Sequence, residues 1–144
     1  HKTCEPAEKR ICYWIRLPND LIKAGKLVEF TRIDTKITGF PIVTDGEHNI
    51  YEFIGGDSNK FKKVFDAPSG QKDINDITTD NDGNIFYITD NALYIVEGLT
   101  SSTKIKETAN NNSKGGSDVS SGPYAMPTFI HETKMYTVAK VGYN

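Results

Sequence analysis

The sequence predicts an all-β chain built from repeated groups of four short strands. Residues 93–98 align with residues 50–55 at a spacing of about 43 residues, and residues 127–136 align with residues 41–51 at about twice that spacing. Four short strands in roughly 40–50 residues are typical of a β-propeller blade. We therefore expect β-propeller blades of about 43 residues.

The clearest unit has four apolar or lysine-bearing runs: "NDITTD", "NIFYIT", "ALYIVE" and "TKIKET". Turn-forming residues separate them, such as Asp82-Gly83-Asn84 and Asp90-Asn91. The first run fits a short strand at the propeller axis. The second and third fit strands that are covered by a blade on each side. The fourth fits an outer edge, where lysines prevent unwanted strand pairing.

The repeats divide the chain into segments with approximate boundaries. Residues 1–25 form an N-terminal disulfide segment and closing strand, and residues 26–144 hold the repeats. The units span about 26–68, 69–109 and, in part, 118–144. Residues 107–123 are rich in Asn, Ser and Gly, which predicts a flexible loop.

Three units are fewer than the four to eight blades of a closed propeller. We therefore expect a partial ring, completed by another copy of the chain or by the remainder of a longer polypeptide. The faces that carry Ile15, Met135 and Val138 would lie in that contact. A small lipocalin-like β-barrel is the alternative fold, although it does not require the repeat.

Composition excludes two classes of partner. The net charge is −2, whereas a protein that binds nucleic acid presents a basic surface to the phosphates. No run of apolar residues is long enough for a membrane helix. We expect neither nucleic acid nor a membrane as a partner.

Two cysteines, Cys4 and Cys12, lie close together near the start of the sequence. Their spacing is not that of a redox motif, so we expect a local structural disulfide. Such bonds persist in oxidising compartments, which predicts a secreted protein. Asn111 stands in an Asn-x-Ser acceptor pattern for glycosylation, in agreement with secretion.

The segment "ITTDNDGNIFYITDNALYIVEG" resembles the repeats of six-bladed propellers of the gluconolactonase and NHL kind. Together with the early "CYW" segment, it also resembles the insect ommochrome-binding proteins. These are haemolymph carriers of tryptophan-derived pigments. The resemblance covers about residues 26–140 and implies a secreted carrier of a small aromatic ligand. It identifies no ligand residue, because no specific motif is shared.

The candidates for stacking on such a ligand are aromatic residues outside the repeated tyrosine position: Tyr13, Trp14, Tyr124 and Phe129. No catalytic constellation or nucleophile motif is present, so we expect a binding protein rather than an enzyme. It would need no cofactor, although a bound chromophore fits the resemblance.

Two other functions remain open. With Asp34 aligned to Asp80 at a spacing of 46 residues, Glu29 aligns with Asn75. Glu29, Asn75 and Asp76 could then hold Ca²⁺ at the axis, as in a metal-dependent lactonase or related hydrolase of propeller type. A propeller that binds other proteins through a broad polar face is the third hypothesis.

Overall fold

The computed structural model describes residues 2–4, 12–14, 19–55, 60–107, 118–121, 127–131 and 134–137. All regular secondary structure in these residues is β-strand, and every strand pairing is antiparallel, as the sequence predicts. The same residues contain no helix of the length and apolar character needed to cross a membrane.

Two short hairpins come first in the chain. Strand β1 (Lys2–Cys4) pairs with β2 (Cys12–Trp14), and their register places Cys4 opposite Cys12. Strand β3 (Ile22–Lys23) pairs with β4 (Lys26–Leu27), with Ala24 and Gly25 in the turn at positive φ.

The first blade is a four-stranded sheet in simple sequential order. Its strands are β5 (Arg32–Thr35), β6 (Pro41–Thr44), β7 (Asn49–Ile54) and β8 (Lys60–Asp66). The second blade has the same order, with β9 (Asp76–Thr79), β10 (Ile85–Ile88), β11 (Ala92–Val96) and β12 (Ser102–Glu107). A third sheet holds β13 (Asp118–Ser121), β14 (Pro127–His131) and β15 (Lys134–Thr137).

The strand registers show that the three sheets are copies of one unit. Val43 pairs with Tyr51, Tyr87 with Tyr94 and Phe129 with Tyr136, so the repeated tyrosine has the same place in each. The third and fourth strands of both complete blades also share a register shift, after Ile50 and after Leu93. The predicted repeat is therefore a repeat in structure.

The three sheets stack face to face around their first strands. Strand β9 lies between β5 and β13, in contact with both. One apolar core joins the first two blades, with Ile42, Ile50 and Phe65 on one side and Ile77 and Tyr87 on the other. A second core joins the other face of the second blade, which is directed away from the first blade, to Val119 of β13. This is the arrangement of propeller blades, with the first strand of each nearest the axis.

The rear face of the first blade, which is directed away from the second blade, has its own apolar core. Val43, Tyr51, Phe53 and Phe61 lie there, and Val28, Leu21 and Phe30 of the preceding segment cover them. Asn19 fastens this segment, since its side chain donates to Val28 O and accepts from Leu21 N–H.

Two expectations from the sequence need correction. Register matches Asp34 with Thr78 at 44 residues, so the alignment of Asp34 with Asp80 is wrong by two residues. Asp80 instead begins the turn between β9 and β10, where its carboxylate binds the N–H groups of Asp82 and Asn84. The sequence alone aligns the two aspartates because each follows a short strand-like run that contains an isoleucine, Arg-Ile-Asp and Ile-Thr-Thr-Asp.

The predicted loop 107–123 contains strand β13, which pairs with β14. Its sequence, Asp-Val-Ser-Ser, has a single apolar residue and so gave no strand pattern. Of the residues expected at the ring contact, Met135 is in β15, whereas Ile15 and Val138 lie outside the described residues.

Candidate functional site

An open groove lies at the outer side of the first blade, between the blade and the segment that precedes it. Its volume is about 660 Å³, within the range of pockets that bind small molecules. The lining residues come from three places: Asp20, Leu21 and Ile22 before and in β3, Ile54 at the end of β7, and Lys60, Phe61 and Lys62 at the start of β8.

A cluster of phenylalanine rings supports the groove wall. Phe61 lines the groove and is itself buried, with its ring centroid 4.9 Å from that of Phe30 and 5.2 Å from that of Phe53. Phe40 extends the cluster at 6.0 Å from Phe53. Rings at these distances and inclined angles pack favourably, so the neighbouring rings hold Phe61 in place at the groove.

At Gly55 the chain passes close to the ring of Phe40, which belongs to this cluster. A Cβ atom on Gly55 would lie 2.6 Å from the Phe40 ring, which is far inside van der Waals contact. The absent side chain thus makes room for the ring beside the end of β7. Gly98 holds the corresponding place in the second blade.

The phenylalanines distinguish the first blade from the second. By register and turn geometry, Phe30, Phe40, Phe53 and Phe61 correspond to Ile74, Asn84, Val96 and Ser102. The core positions shared by the repeats stay apolar in both, but these four carry rings in one blade only. The cluster is visible in the sequence when the two repeats are compared position by position, whereas aromatic residues that do not repeat give no sign of it.

The groove carries more positive than negative charge. Lys60 and Lys62 stand on one side, with Asp20 as the acidic lining residue. Glu52 is opposite Lys62 in the sheet, but its carboxylate lies 2.6 Å from Lys36 Nζ. An anion on a ligand in the groove would therefore meet a net positive field.

The opposite end of the first blade is polar. Asp45 accepts hydrogen bonds from Glu47 N–H and from both the backbone and side chain of Asn49, which fixes the turn between β6 and β7. Lys23 pairs with Asp45 and Glu47, and its hydrogen bond to Glu47 raises the pKa of the lysine. Hydrogen bonds and ion pairs within the chain thus join the charged and amide side chains at this end of the blade.

The structure brings few of the predicted ligand residues together. Tyr13 and Trp14 are neighbours in β2, and Phe129 is in β14 opposite Tyr136. Tyr124 and the glycosylation candidate Asn111 lie outside the described residues. The backbone pairing thus gives no evidence of a shared site for these aromatic residues.

The proposed calcium ligands do not form a repeated set. Register matches Asn75 with Thr31 rather than Glu29, so the equivalence that suggested the site is wrong. Asn75 donates to Asp90, and Asp76 accepts from Ile77 N–H and from Val119 N–H. Within the described ranges, no three His, Cys, Asp or Glu side chains are grouped as for a metal ion.

Comparison with known proteins supports the fold. No protein-family model matches the chain, and no curated protein matches it. The crystal structure of selenomethionine-substituted virginiamycin B lyase from Staphylococcus aureus is similar, with a TM-score of 0.59 and 17% sequence identity. The match covers 94% of this chain but 44% of that protein, so the chain spans less than half its length. That neighbour is a β-propeller, which confirms the predicted fold class.

Proposed function

We propose that this chain belongs to a β-propeller that binds a small aromatic ligand with an anionic group. The observation that carries the proposal is the groove at the outer edge of the first blade, whose lining combines apolar residues with Phe61 and the two lysines on either side of it in β8, Lys60 and Lys62. Leu21, Ile22 and Ile54 add apolar lining.

The apolar side chains and the lysines of the groove would contribute to binding in different ways. A flat ligand gains affinity by burying its apolar faces against Leu21, Ile22 and Ile54, the aliphatic residues that line the groove beside Phe61. Lys60 and Lys62 then orient the ligand by attracting its carboxylate. Their charges are exposed, so electrostatic attraction contributes modestly and weakens with salt.

Titration calorimetry with 2-naphthoate tests the proposal, because this probe has a planar apolar body and one carboxylate. The variant Lys60→Glu with Lys62→Glu should weaken binding about tenfold or more, which corresponds to about 1.4 kcal/mol. Lys104→Glu with Lys106→Glu changes the outer strand of the second blade by the same charge and is the matched control. It should leave the dissociation constant unchanged.

Two results would reject the groove as the binding site. One is an absence of 2-naphthoate binding to the folded wild-type chain at about 1 mM. The other is an equal loss of affinity in both double variants, which would mean that only the overall charge of the chain matters.

The finer identity of the ligand rests on the resemblance described above. Secretion as a pigment carrier of the ommochrome-binding kind agrees with an aromatic groove, and the acceptor pattern at Asn111 and the opposed positions of Cys4 and Cys12 support secretion. Purification from the native source with an absorption spectrum, followed by titration with an ommochrome, tests this. A colourless protein that binds no ommochrome is not a pigment carrier.

The metal-dependent hydrolase remains an alternative hypothesis, with Glu29, Asn75 and Asp76 as its candidate residues. Elemental analysis of dialysed protein and a melting curve with added Ca²⁺ distinguish it from the binding protein. Bound metal or a raised melting temperature would favour the hydrolase. The protein-interaction hypothesis has no observation in its favour among the described contacts.

A further inference from the structure

Among the described residues, the three charged side chains of the groove have no charged partner. In the first blade, residues 32–66, the other described charged side chains each have an ionic or hydrogen-bond partner. Lys60 and Lys62 have none in the part of the chain that the structure describes, and the same is true of Asp20. The groove therefore holds charges that the described fold itself does not neutralise.

The acidic and basic side chains are on different walls of the groove. Asp20 belongs to the segment before β3, whereas Lys60 and Lys62 are in β8. All three line the same volume of about 660 Å³, and Asp20 forms no ion pair with either lysine. A small molecule in the groove thus has an anionic side chain on one wall and two cationic side chains on the other.

Hydrogen bonds on both sides hold the backbone of Asp20 in place. Asn19 Oδ1 accepts from Leu21 N–H at 3.1 Å, and Asn19 Nδ2 donates to Val28 O at 3.0 Å. Leu21 O in turn accepts from Val28 N–H at 2.9 Å. The next lysine along the segment, Lys23, is paired with carboxylates of the first blade and so does not neutralise Asp20. The Asp20 carboxylate is therefore presented to a ligand from a fixed point on the wall.

We infer that the groove takes a zwitterionic aromatic ligand, which carries an ammonium group as well as a carboxylate. The inference rests on the proposed function, in which Lys60 and Lys62 attract the carboxylate, and it adds Asp20 as the acceptor of the ammonium group. A ligand with both charges places each of them beside its complement. A ligand with a carboxylate alone leaves Asp20 unmatched and brings a second negative charge into the groove, so Asp20 discriminates between the two.

Titration calorimetry with two matched ligands tests the inference. The compounds 3-(2-naphthyl)alanine and 3-(2-naphthyl)propanoate share the ring and the carboxylate, and only the first carries an ammonium group, which is charged at about pH 6. The wild-type chain should bind 3-(2-naphthyl)alanine about threefold more tightly than 3-(2-naphthyl)propanoate. Asp20→Asn should reverse this order, because Lys60 and Lys62 then repel the ammonium group and no carboxylate of the groove offsets the repulsion.

Two further variants separate the position of the charge from its presence. Asp73→Asn removes the same charge from an exposed residue outside the groove lining, where Asp73 lies 3.9 Å from His48, and it should keep the wild-type preference. Asp20→Glu retains the charge at the groove and should also keep the ammonium compound as the tighter ligand. Asp20 and Asp73 are both exposed, so all three variants should fold by circular dichroism.

The outcomes distinguish this inference from the proposed function. If Lys60→Glu with Lys62→Glu weakens 3-(2-naphthyl)propanoate but the wild type gives the ammonium compound no advantage, the anion-binding groove stands and the role of Asp20 is overturned. Equal effects of Asp20→Asn and Asp73→Asn would also overturn it, since only the overall charge would then matter. An absence of binding by both ligands at about 1 mM would reject the groove and this inference together.

Discussion

The carboxylate of Asp34 in the first blade binds the N–H of Thr79 in the second, with Oδ2 3.0 Å from the nitrogen. The same oxygen accepts from the Thr78 hydroxyl at 3.0 Å. Both bonds cross between the first two blades, which are also joined by the apolar core and by a hydrogen bond from Asp66 N–H to Leu99 O. Asp34 therefore sets how the first strands of the two blades align.

Asp34→Ala should lower the free energy of unfolding by about 2 kcal/mol, because it removes hydrogen bonds to a charged acceptor. Urea unfolding measures the change. Asp66→Ala is the matched control, since Asp66 forms an exposed pair with Lys63 and should cost less than about 1 kcal/mol. Equal losses in the two variants would show that the Asp34 bonds do not join the blades.

Two turn glycines at positive φ should respond differently to alanine. Gly83 has φ of 83° with no atom near its missing Cβ, so Gly83→Ala should cost about 1 kcal/mol from backbone strain alone. Gly46 has φ of 75°, and a Cβ there would lie 2.7 Å from Thr31 Oγ1. Gly46→Ala should therefore cost about 2 kcal/mol.

Thermal or urea unfolding of the two alanine variants decides the order. The double variant Gly46→Ala with Thr31→Gly removes the clash and should recover part of the loss. A smaller loss in Gly46→Ala than in Gly83→Ala would contradict the geometry of the turn.

Stability should fall at alkaline pH because of Tyr87. Burial raises the pKa of Tyr87 to about 12, although hydrogen bonds with Ser102 and Gln71 act in the lowering direction. The unfolded tyrosine has a pKa of about 10. The stabilisation is complete below about pH 10 and is lost as pH rises toward about 12, since the unfolded state ionises first. The loss is about 3 kcal/mol.

Urea unfolding as a function of pH for the wild type and Tyr87→Phe measures this effect. The phenylalanine variant cannot ionise, so the difference in stability between the two proteins should narrow or reverse above about pH 10. A difference that stays constant across the alkaline range would mean that Tyr87 does not retain its proton in the folded state.

The two cysteines should be joined. Cys4 and Cys12 are opposite one another in β1 and β2, and directly opposed residues of antiparallel strands have Cα separations that a disulfide can span. Intact mass spectrometry without reductant should give a chain about two mass units lighter than after reduction. Alkylation of both thiols in native buffer would show that the bond is absent.

The repeat could be predicted from the sequence because turn residues and apolar strand residues recur at a nearly constant spacing. The tyrosines at 51, 94 and 136 mark one position in three sheets, and the registers confirm that alignment. The innermost strands were placed less well. They are four residues long, and their sequences Arg-Ile-Asp-Thr, Asp-Ile-Thr-Thr and Asp-Val-Ser-Ser share only one apolar position.

The groove could not be predicted by the same means. Its lining comes from separate parts of the chain, at 20–22, 54 and 60–62, which the fold brings together. Single-sequence patterns report periodic burial within one strand and give no signal for such a contact. The four phenylalanines that only the first blade carries at these positions indicate the cluster in the sequence. This difference between the blades is visible only when the repeats are aligned correctly.

The most direct test of the proposed function is a two-dimensional amide spectrum of the folded chain during titration with 2-naphthoate. The largest shifts should occur at Leu21, Ile54 and Phe61, with smaller changes at the equivalent end of the second blade around Val96 and Ser102. Shifts centred away from the groove, or none at about 1 mM ligand, would contradict it.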